Sequence, residues 1–120
     1  MGRSRASAKQ AGARFERVVA DHLAEHLDDR IDRRVKTGAA DKGDIASVRD
    51  RDGNRVVLEV KDYGGRLMPS EWLREAETER INDEAAVGVV VAKRRGTADP
   101  SKQYVLMDLG TLINLLKGTP

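Results

Sequence analysis

Cysteine is absent from this 120-residue chain, which excludes disulfides and thiolate metal sites. Histidine occurs only as His22 and His26, so a structural zinc site is not expected. Aromatic residues make up 3% of the chain, and the core must therefore be built mainly from Val, Leu, Ile and Ala. No apolar run approaches membrane-spanning length, and the basic N-terminus lacks the apolar region of a signal peptide. We expect a soluble, cytoplasmic protein with no membrane partner.

Charged residues make up 35% of the chain, and they are unevenly distributed although the net charge is only +2. Residues 1–14 and 93–102 are mainly basic, whereas residues 71–84 are mainly acidic. Basic surfaces of this kind could meet phosphates, and we expect the acidic stretch to be a solvated face. The length suits one compact domain. We expect residues 1–10 to be a flexible basic arm and residues 11–120 to form a single domain.

The periodicity of apolar residues predicts the secondary structure. A first helix is expected from about Ala11 and a second from Pro69 to about Asn82, with a last short helix over residues 112–117 capped by Thr111. Strands are expected over residues 33–36, 44–48, 56–61, 87–92 and 104–109. The order α-β-β-β-α-β-β-α predicts an α/β fold in which helices flank a mixed sheet. The apolar strand 87–92 is expected to run parallel to strand 56–61.

Strand 56–61 carries two charges that an otherwise apolar strand would not need. Glu59 and Lys61 are two residues apart and therefore point to the same face, while Leu58 and Val60 point to the other. Charges in a buried strand are costly unless they pair or serve a site. The pair is thus either an ion pair at a sheet edge or part of a metal-dependent active site.

A predicted hairpin brings Asp44 to the same patch. The turn-forming residues 49–54 separate the two strands, with Asp52-Gly53 at their centre. A two-residue turn at Asp52-Gly53 pairs position 44 with 61, and a loop centred one residue earlier pairs 44 with 59. Both registers place Asp44 on the face of Glu59 and Lys61, whereas a one-residue offset would send it to the other face.

These residues resemble the bipartite motif of the PD-(D/E)XK nuclease superfamily. Gly43-Asp44 is followed by Glu59-Val60-Lys61, with Gly43 in the place of the usual proline. Residues 12–17, which include Glu16, are similar to the first helix of archaeal-type Holliday junction resolvases. In that family a serine lies in the loop before the metal-binding aspartate, and Thr37 is the nearest counterpart here. The resemblance covers roughly residues 9 to 93.

The resemblance implies a restriction-endonuclease-like fold and hydrolysis of DNA phosphodiesters with Mg²⁺, for which Mn²⁺ could substitute. It implies Glu16, Asp44, Glu59 and Lys61 as catalytic residues and Asp44, Glu59, Val60 and Glu16 as the metal site. Because basic side chains bind phosphates, the expected DNA contacts are Arg14, Arg33, Arg34, Lys36, Thr37, Arg94 and Arg95. The expected partners are branched DNA, such as a four-way junction, and a second copy in a homodimer. Two alternatives stay open: another small nuclease of the superfamily, nicking or restriction-like, and a nuclease-like fold that only binds nucleic acid.

Overall fold

The computed structural model describes residues 4–35 and 43–118. Within them the chain forms α1 (Arg5–His26), β1 (Asp32–Arg33), β2 (Ile45–Ala46), β3 (Val56–Lys61), α2 (Pro69–Asn82), β4 (Val87–Ala92), a 3₁₀ turn (Pro100–Lys102), β5 (Tyr104–Leu106) and α3 (Leu109–Lys117). The strands form one mixed sheet in the order β1-β2-β3-β4-β5. Strands β3 and β4 are parallel, and the other neighbours are antiparallel. The predicted α/β class, the mixed sheet and the parallel pair are confirmed.

Helix α1 begins earlier than predicted. Its N-cap is Ser4, whose hydroxyl oxygen accepts a hydrogen bond from the Ser7 N–H at 3.1 Å. This cap satisfies one of the free N–H groups of the first turn, so the helix starts at Arg5 rather than near Ala11. Residues 5–10, which were expected to belong to the basic arm, are therefore helical. Residues 1–3 lie outside the described part of the chain.

The two faces of the sheet are covered by different helices. Helix α1 buries Phe15 and Val19 against a face that includes Leu58, Val60 and Val91. Helix α2 covers the opposite face, where Trp72 and Ala76 pack against Val90 and Ala92. Alternation along a strand thus sends Leu58 and Val60 towards α1 and their neighbours towards α2. No helix within residues 4–35 and 43–118 is long and apolar enough to cross a membrane.

Three central elements have the predicted bounds. Strand β3 spans Val56–Lys61, α2 spans Pro69–Asn82 and β4 spans Val87–Ala92. Helix α2 lies very close to β4 at Gly88: a Cβ added to this glycine would come within 2.8 Å of the Ala76 carbonyl oxygen. A glycine at this point of β4 is therefore what allows α2 to pack directly on the sheet.

A β-bulge interrupts the hairpin of β2 and β3. Near the turn Arg49 is opposite Arg55, but Ile45 is opposite Leu58, so residues 46–48 face only residues 56–57. Ser47 accommodates the additional residue with a φ of 71°. The loop itself is longer than predicted: Asp50 and Asn54 pair around residues 51–53, so the two-residue turn is wrong.

The edges of the sheet differ from prediction. Strand β1 spans only Asp32–Arg33, and β2 spans only Ile45–Ala46. Strand β5 ends at Leu106, after which Asp108 caps α3 by accepting a hydrogen bond from the Thr111 N–H at 2.8 Å. The cap is therefore Asp108 and not Thr111, and α3 gains a turn at its start. Gly118 ends α3 with a φ of 77°, as the sequence predicts.

Candidate functional site

Asp44 and Glu59 lie side by side on the face of the sheet that α2 covers. The pairing of Ile45 with Leu58, both of which face α1, sends these two carboxylates to the other side. This arrangement corresponds to the second of the two predicted registers. Asp44 is 2% exposed and Glu59 is 6% exposed. The Val60 N–H donates a hydrogen bond of 2.7 Å to Asp44 Oδ2, which fixes the Asp44 side chain across β3.

The bulge at Ser47 decides which face Asp44 occupies. If the register near the turn, with Arg49 opposite Arg55, continued along the hairpin, Asp44 would be opposite Val60 and would point towards α1. The extra residue shifts the pairing by one and returns Asp44 to the face of Glu59. The site therefore depends on one irregular residue as much as on the acids themselves.

Gly43 holds the backbone that leads into Asp44. Its φ is 94°, a region that proline cannot reach, so this chain could not carry proline here without a different local fold. A Cβ on Gly43 would lie 2.9 Å from Val57 Cγ1 and 3.1 Å from the Leu58 carbonyl oxygen. Both the conformation and the close approach to β3 therefore require glycine.

A third buried carboxyl group, Glu79 of α2, contacts Glu59 from the helix side. Glu59 is thus the middle member of a chain that runs from Asp44 through Glu59 to Glu79. Burial and the contacts with these two carboxyl groups raise the pKa of Glu59 to about 12. Such crowding of like charges is unfavourable in a structural core and is typical of sites that bind a cation.

Lys61 is half-buried and forms an ion pair with Glu75 of α2, with Nζ and Oε2 2.5 Å apart. Burial alone would lower the pKa of Lys61, but the hydrogen bond with Glu75 and the charge of Glu75 outweigh it and raise the pKa. Lys61 is therefore a cation at neutral pH and not a proton acceptor. Lys61 and Glu59 both contact α2, so they lie on the same face of the sheet, as predicted.

The sequence interpretation missed the contribution of α2. Glu75, Glu79 and Asp83 follow one another at intervals of four residues, so they form one line along the helix. They meet Lys61, Glu59 and Arg34 in turn, and the Arg34 Nη2 to Asp83 Oδ2 distance is 3.8 Å. The expectation of a solvated acidic face is wrong for Glu79 and Asp83, which are buried. The four-residue spacing was the signal that could have found them.

Glu16 lies on the other side of the sheet from the carboxylate chain. It belongs to α1, and its Oε1 accepts from Arg33 Nε of β1 at 3.3 Å. Arg33 is opposite Ile45, which faces α1, so the pair lies on the α1 face. The described contacts of Glu16 therefore give no support to its predicted role beside Asp44 and Glu59.

The predicted phosphate-binding residues are dispersed. Arg14 is exposed on α1, and Arg94 lies over the Tyr104 ring at 5.2 Å. Arg95 donates to the Gly64 carbonyl oxygen at 3.2 Å, which ties the basic loop after β4 to the loop after β3. The Lys93 N–H also donates to the Lys61 carbonyl oxygen, so this loop begins beside Lys61. Lys36 and Thr37 lie outside the described residues.

The donor atoms of the site fit a hard divalent cation. Asp44 and Glu59 supply only oxygen atoms, as Mg²⁺ and Mn²⁺ prefer, and Mg²⁺ commonly uses one or two carboxylates while it keeps several waters. A cation at this pair would also relieve the repulsion that raises the Glu59 pKa. Val60, which was predicted at the metal site, follows Glu59 in the chain and donates its N–H to Asp44, so it is adjacent to both acids.

Comparisons of the chain with protein-family models, with curated proteins and with solved structures returned no match.

Proposed function

We propose that the chain is a metal-dependent endonuclease with a restriction-endonuclease-like fold of the PD-(D/E)XK type. The observation that supports this most directly is the hairpin register, which brings Asp44 next to Glu59 while Lys61 follows two residues later on the same face. An acid directly before one strand and an acid-x-lysine on the next make up that motif apart from its usual proline, in whose place Gly43 stands. Burial of two carboxylates side by side has no stabilising purpose in a core of this size.

The residues of the site divide the work of phosphodiester hydrolysis. Asp44 and Glu59 would hold Mg²⁺, and the Val60 N–H keeps the Asp44 carboxylate in place. Bound there, Mg²⁺ would polarise the scissile phosphate and lower the pKa of an attacking water. Lys61, a cation, would orient that water or offset the negative charge that develops on the phosphate. To do so its Nζ would exchange Glu75 for the substrate.

The proposed substrate is DNA, most specifically a four-way junction. The resemblance to archaeal-type Holliday junction resolvases suggests the junction, and the basic loop that begins beside Lys61 supplies cations for the backbone. Contacts of this kind depend strongly on salt and little on sequence. A nicking or restriction-like nuclease of the same superfamily is the alternative for the same chemistry.

We further propose that the protein acts as a homodimer through α3. Four aliphatic side chains recur on this helix at spacings of three and four, and their exposed fractions are 71% for Leu109, 39% for Leu112, 48% for Ile113 and 78% for Leu116. Soluble monomers rarely leave such a stripe uncovered. A two-fold axis would pack two α3 helices antiparallel and bring Asp108 at the start of one near Lys117 at the end of the other. Two such subunits would present paired active sites to a symmetric junction.

One observation favours a second function, nucleic-acid binding without cleavage. Asp44 and Glu59 are almost fully buried, and Lys61 is already paired with Glu75. A substrate phosphate can reach them only if the chain opens over the α2 face of the sheet. A fold that has kept the acids but stays closed would bind DNA and leave it intact.

Cleavage assays separate these functions. The protein is incubated with a labelled four-way junction, a linear duplex and single-stranded DNA, each with Mg²⁺ or with EDTA. Symmetric nicks on the junction alone support resolution, and equal cutting of the duplex supports a general nuclease. Asp44→Asn and Glu59→Gln should abolish cleavage while binding is retained, and Glu71→Gln, an exposed acid of α2, should cut normally. Binding without cleavage by the wild type under Mg²⁺ and Mn²⁺ would refute the nuclease.

A further inference from the structure

The C-terminal end of α1 carries a second group of potential metal ligands, which differs from the carboxylate chain because two of its three members are histidines. His22, Glu25 and His26 each offer a ligand atom, and these atoms all lie within 4.8 Å of one another. The two imidazole rings are in edge-to-face contact, with centroids 4.5 Å apart and planes inclined at 61°. Among the described residues, these three form the group of histidine and acidic side chains whose donor atoms converge in this way.

The helix itself supplies the arrangement. Residues three and four apart lie on one face of a helix, so His22 meets both Glu25 and His26 without any contribution from a loop. Zinc binds imidazole nitrogen and carboxylate oxygen at about 2.0–2.2 Å, which places two ligands of one ion roughly 3–4 Å apart. Small side-chain rotations are enough to bring the three atoms to that separation. Glu25 and His26 are exposed, so an ion can reach them from solvent.

The surrounding charges favour a cation. His26 is the last residue of a 22-residue helix, where the free carbonyl groups form the negative end of the helix dipole. The Asp99 carboxylate also interacts electrostatically with His22 across the gap between α1 and the loop before β5. His22 also lines an apolar cleft together with residues of α1, β4 and β5.

We propose that His22, Glu25 and His26 form a binding site for a borderline transition metal of the Zn²⁺ class. Two imidazoles and one carboxylate are the donor set of such ions and are poor ligands for Mg²⁺. Three protein ligands leave at least one position to water, which distinguishes such a site from a four-ligand structural zinc site. The chain would thus hold two ions of different kinds, an oxygen-bound one at Asp44 and Glu59 and a nitrogen-bound one on α1. The second site goes beyond the proposed nuclease and does not depend on it.

Calorimetric titration of Zn²⁺ into the metal-free, untagged protein tests the site. The full chain carries Glu59→Gln in every sample, so that the carboxylate pair does not compete for the ion. We expect one ion per chain with a Kd of order 10 µM or tighter, and His22→Gln or His26→Gln should each weaken it at least about tenfold. Lys102→Gln, which removes a nearby charge without removing a ligand, should not weaken it. Equal affinity in the histidine variants, or no binding up to about 100 µM Zn²⁺, would overturn the proposal.

Imidazole proton NMR gives a second readout that activity cannot influence. The chain has only two histidines, so its imidazole signals arise from His22 and His26 alone. Zn²⁺ should move both sets of signals together, and Mg²⁺ at the same concentration should move neither. A shift of one histidine alone would mean that the two do not share an ion.

Discussion

Replacement of Glu59 by Gln should make the metal-free protein more stable, although it removes a residue of the proposed active site. Folded Glu59 has a pKa of about 12, raised from 4.5 by burial and by Asp44 and Glu79. Between these values the folded chain holds a proton that the unfolded chain has released. Stability is therefore fully present below about pH 4.5 and is lost as the pH rises. Glutamine has nearly the same shape and cannot titrate, so it avoids this loss.

The magnitude follows from the linkage between protons and folding. One proton held only by the folded state lowers the free energy of unfolding by about 1.4 kcal/mol for each pH unit. From pH 5.5 to pH 7.5 the wild type should lose about 3 kcal/mol relative to Glu59→Gln. Since an average domain is stable by only about 5–15 kcal/mol, the difference is readily measured.

Urea unfolding at several pH values in EDTA measures this difference. Trp72 is the only tryptophan and is buried against β4, so its fluorescence reports global unfolding. The control is Glu71→Gln, an exposed acid in the first turn of the same helix, which should keep the wild-type pH slope. Added Mg²⁺ should stabilise the wild type, by about 2.7 kcal/mol at 100 times its Kd, and leave Glu59→Gln unchanged. Parallel pH profiles for wild type and Glu59→Gln would refute the crowded, protonated carboxylate.

Three further predictions concern the backbone and the surface. Gly43→Ala should lower the free energy of unfolding by about 2–4 kcal/mol and reduce cleavage, because it adds a clash with β3 to the strain of a positive φ. The control Gly53→Ala also has a positive φ but meets no neighbour, so it should cost only about 1 kcal/mol. Equal losses of stability in urea unfolding would contradict the close approach of Gly43 to β3. Because Ser47 has a positive φ, Ser47→Gly should leave the free energy of unfolding unchanged or raise it, and Ser47→Val should lower it by about 1–2 kcal/mol in the same assay. A valine variant more stable than the glycine variant would contradict the bulge. Ile113→Glu should convert a dimer into a monomer in light scattering, whereas Asn114→Glu should not, and a monomeric wild type would refute the α3 interface.

The middle of the fold was predictable because its signals are local. The apolar run of β4, the proline at the start of α2 and the β-branched residues of β3 each mark an element without reference to the rest of the chain. The start of α1 and the C-terminal end of β5 were not predicted correctly. The start of α1 depends on the N-cap Ser4, and the end of β5 depends on Asp108, the N-cap of α3. Other residues a few positions away could also have capped these helices, so the sequence alone does not fix either boundary.

The candidate site was predictable only in its local half. Glu59 and Lys61 share a face through strand alternation, which is a property of neighbouring sequence. Asp44 reaches that face only through the bulge at Ser47, which the regular hairpin of the sequence prediction did not contain. Glu79 depends on which face of α2 meets the sheet, and that is set by the packing of Trp72 and Ala76 against β4. The position of Glu16 depends on α1 covering the opposite face, which periodicity alone does not determine.

The bulge at Ser47 connects the stability of the fold to its proposed function. A regular hairpin would avoid a positive φ at serine and would point Asp44 towards α1, away from Glu59. It would thus remove both the strain and the crowding of the two carboxylates. The chain instead keeps an irregular residue whose effect is to place one acid beside another, and both features lower stability. When two separate costs converge on one pair of side chains, a function of that pair explains them better than packing does.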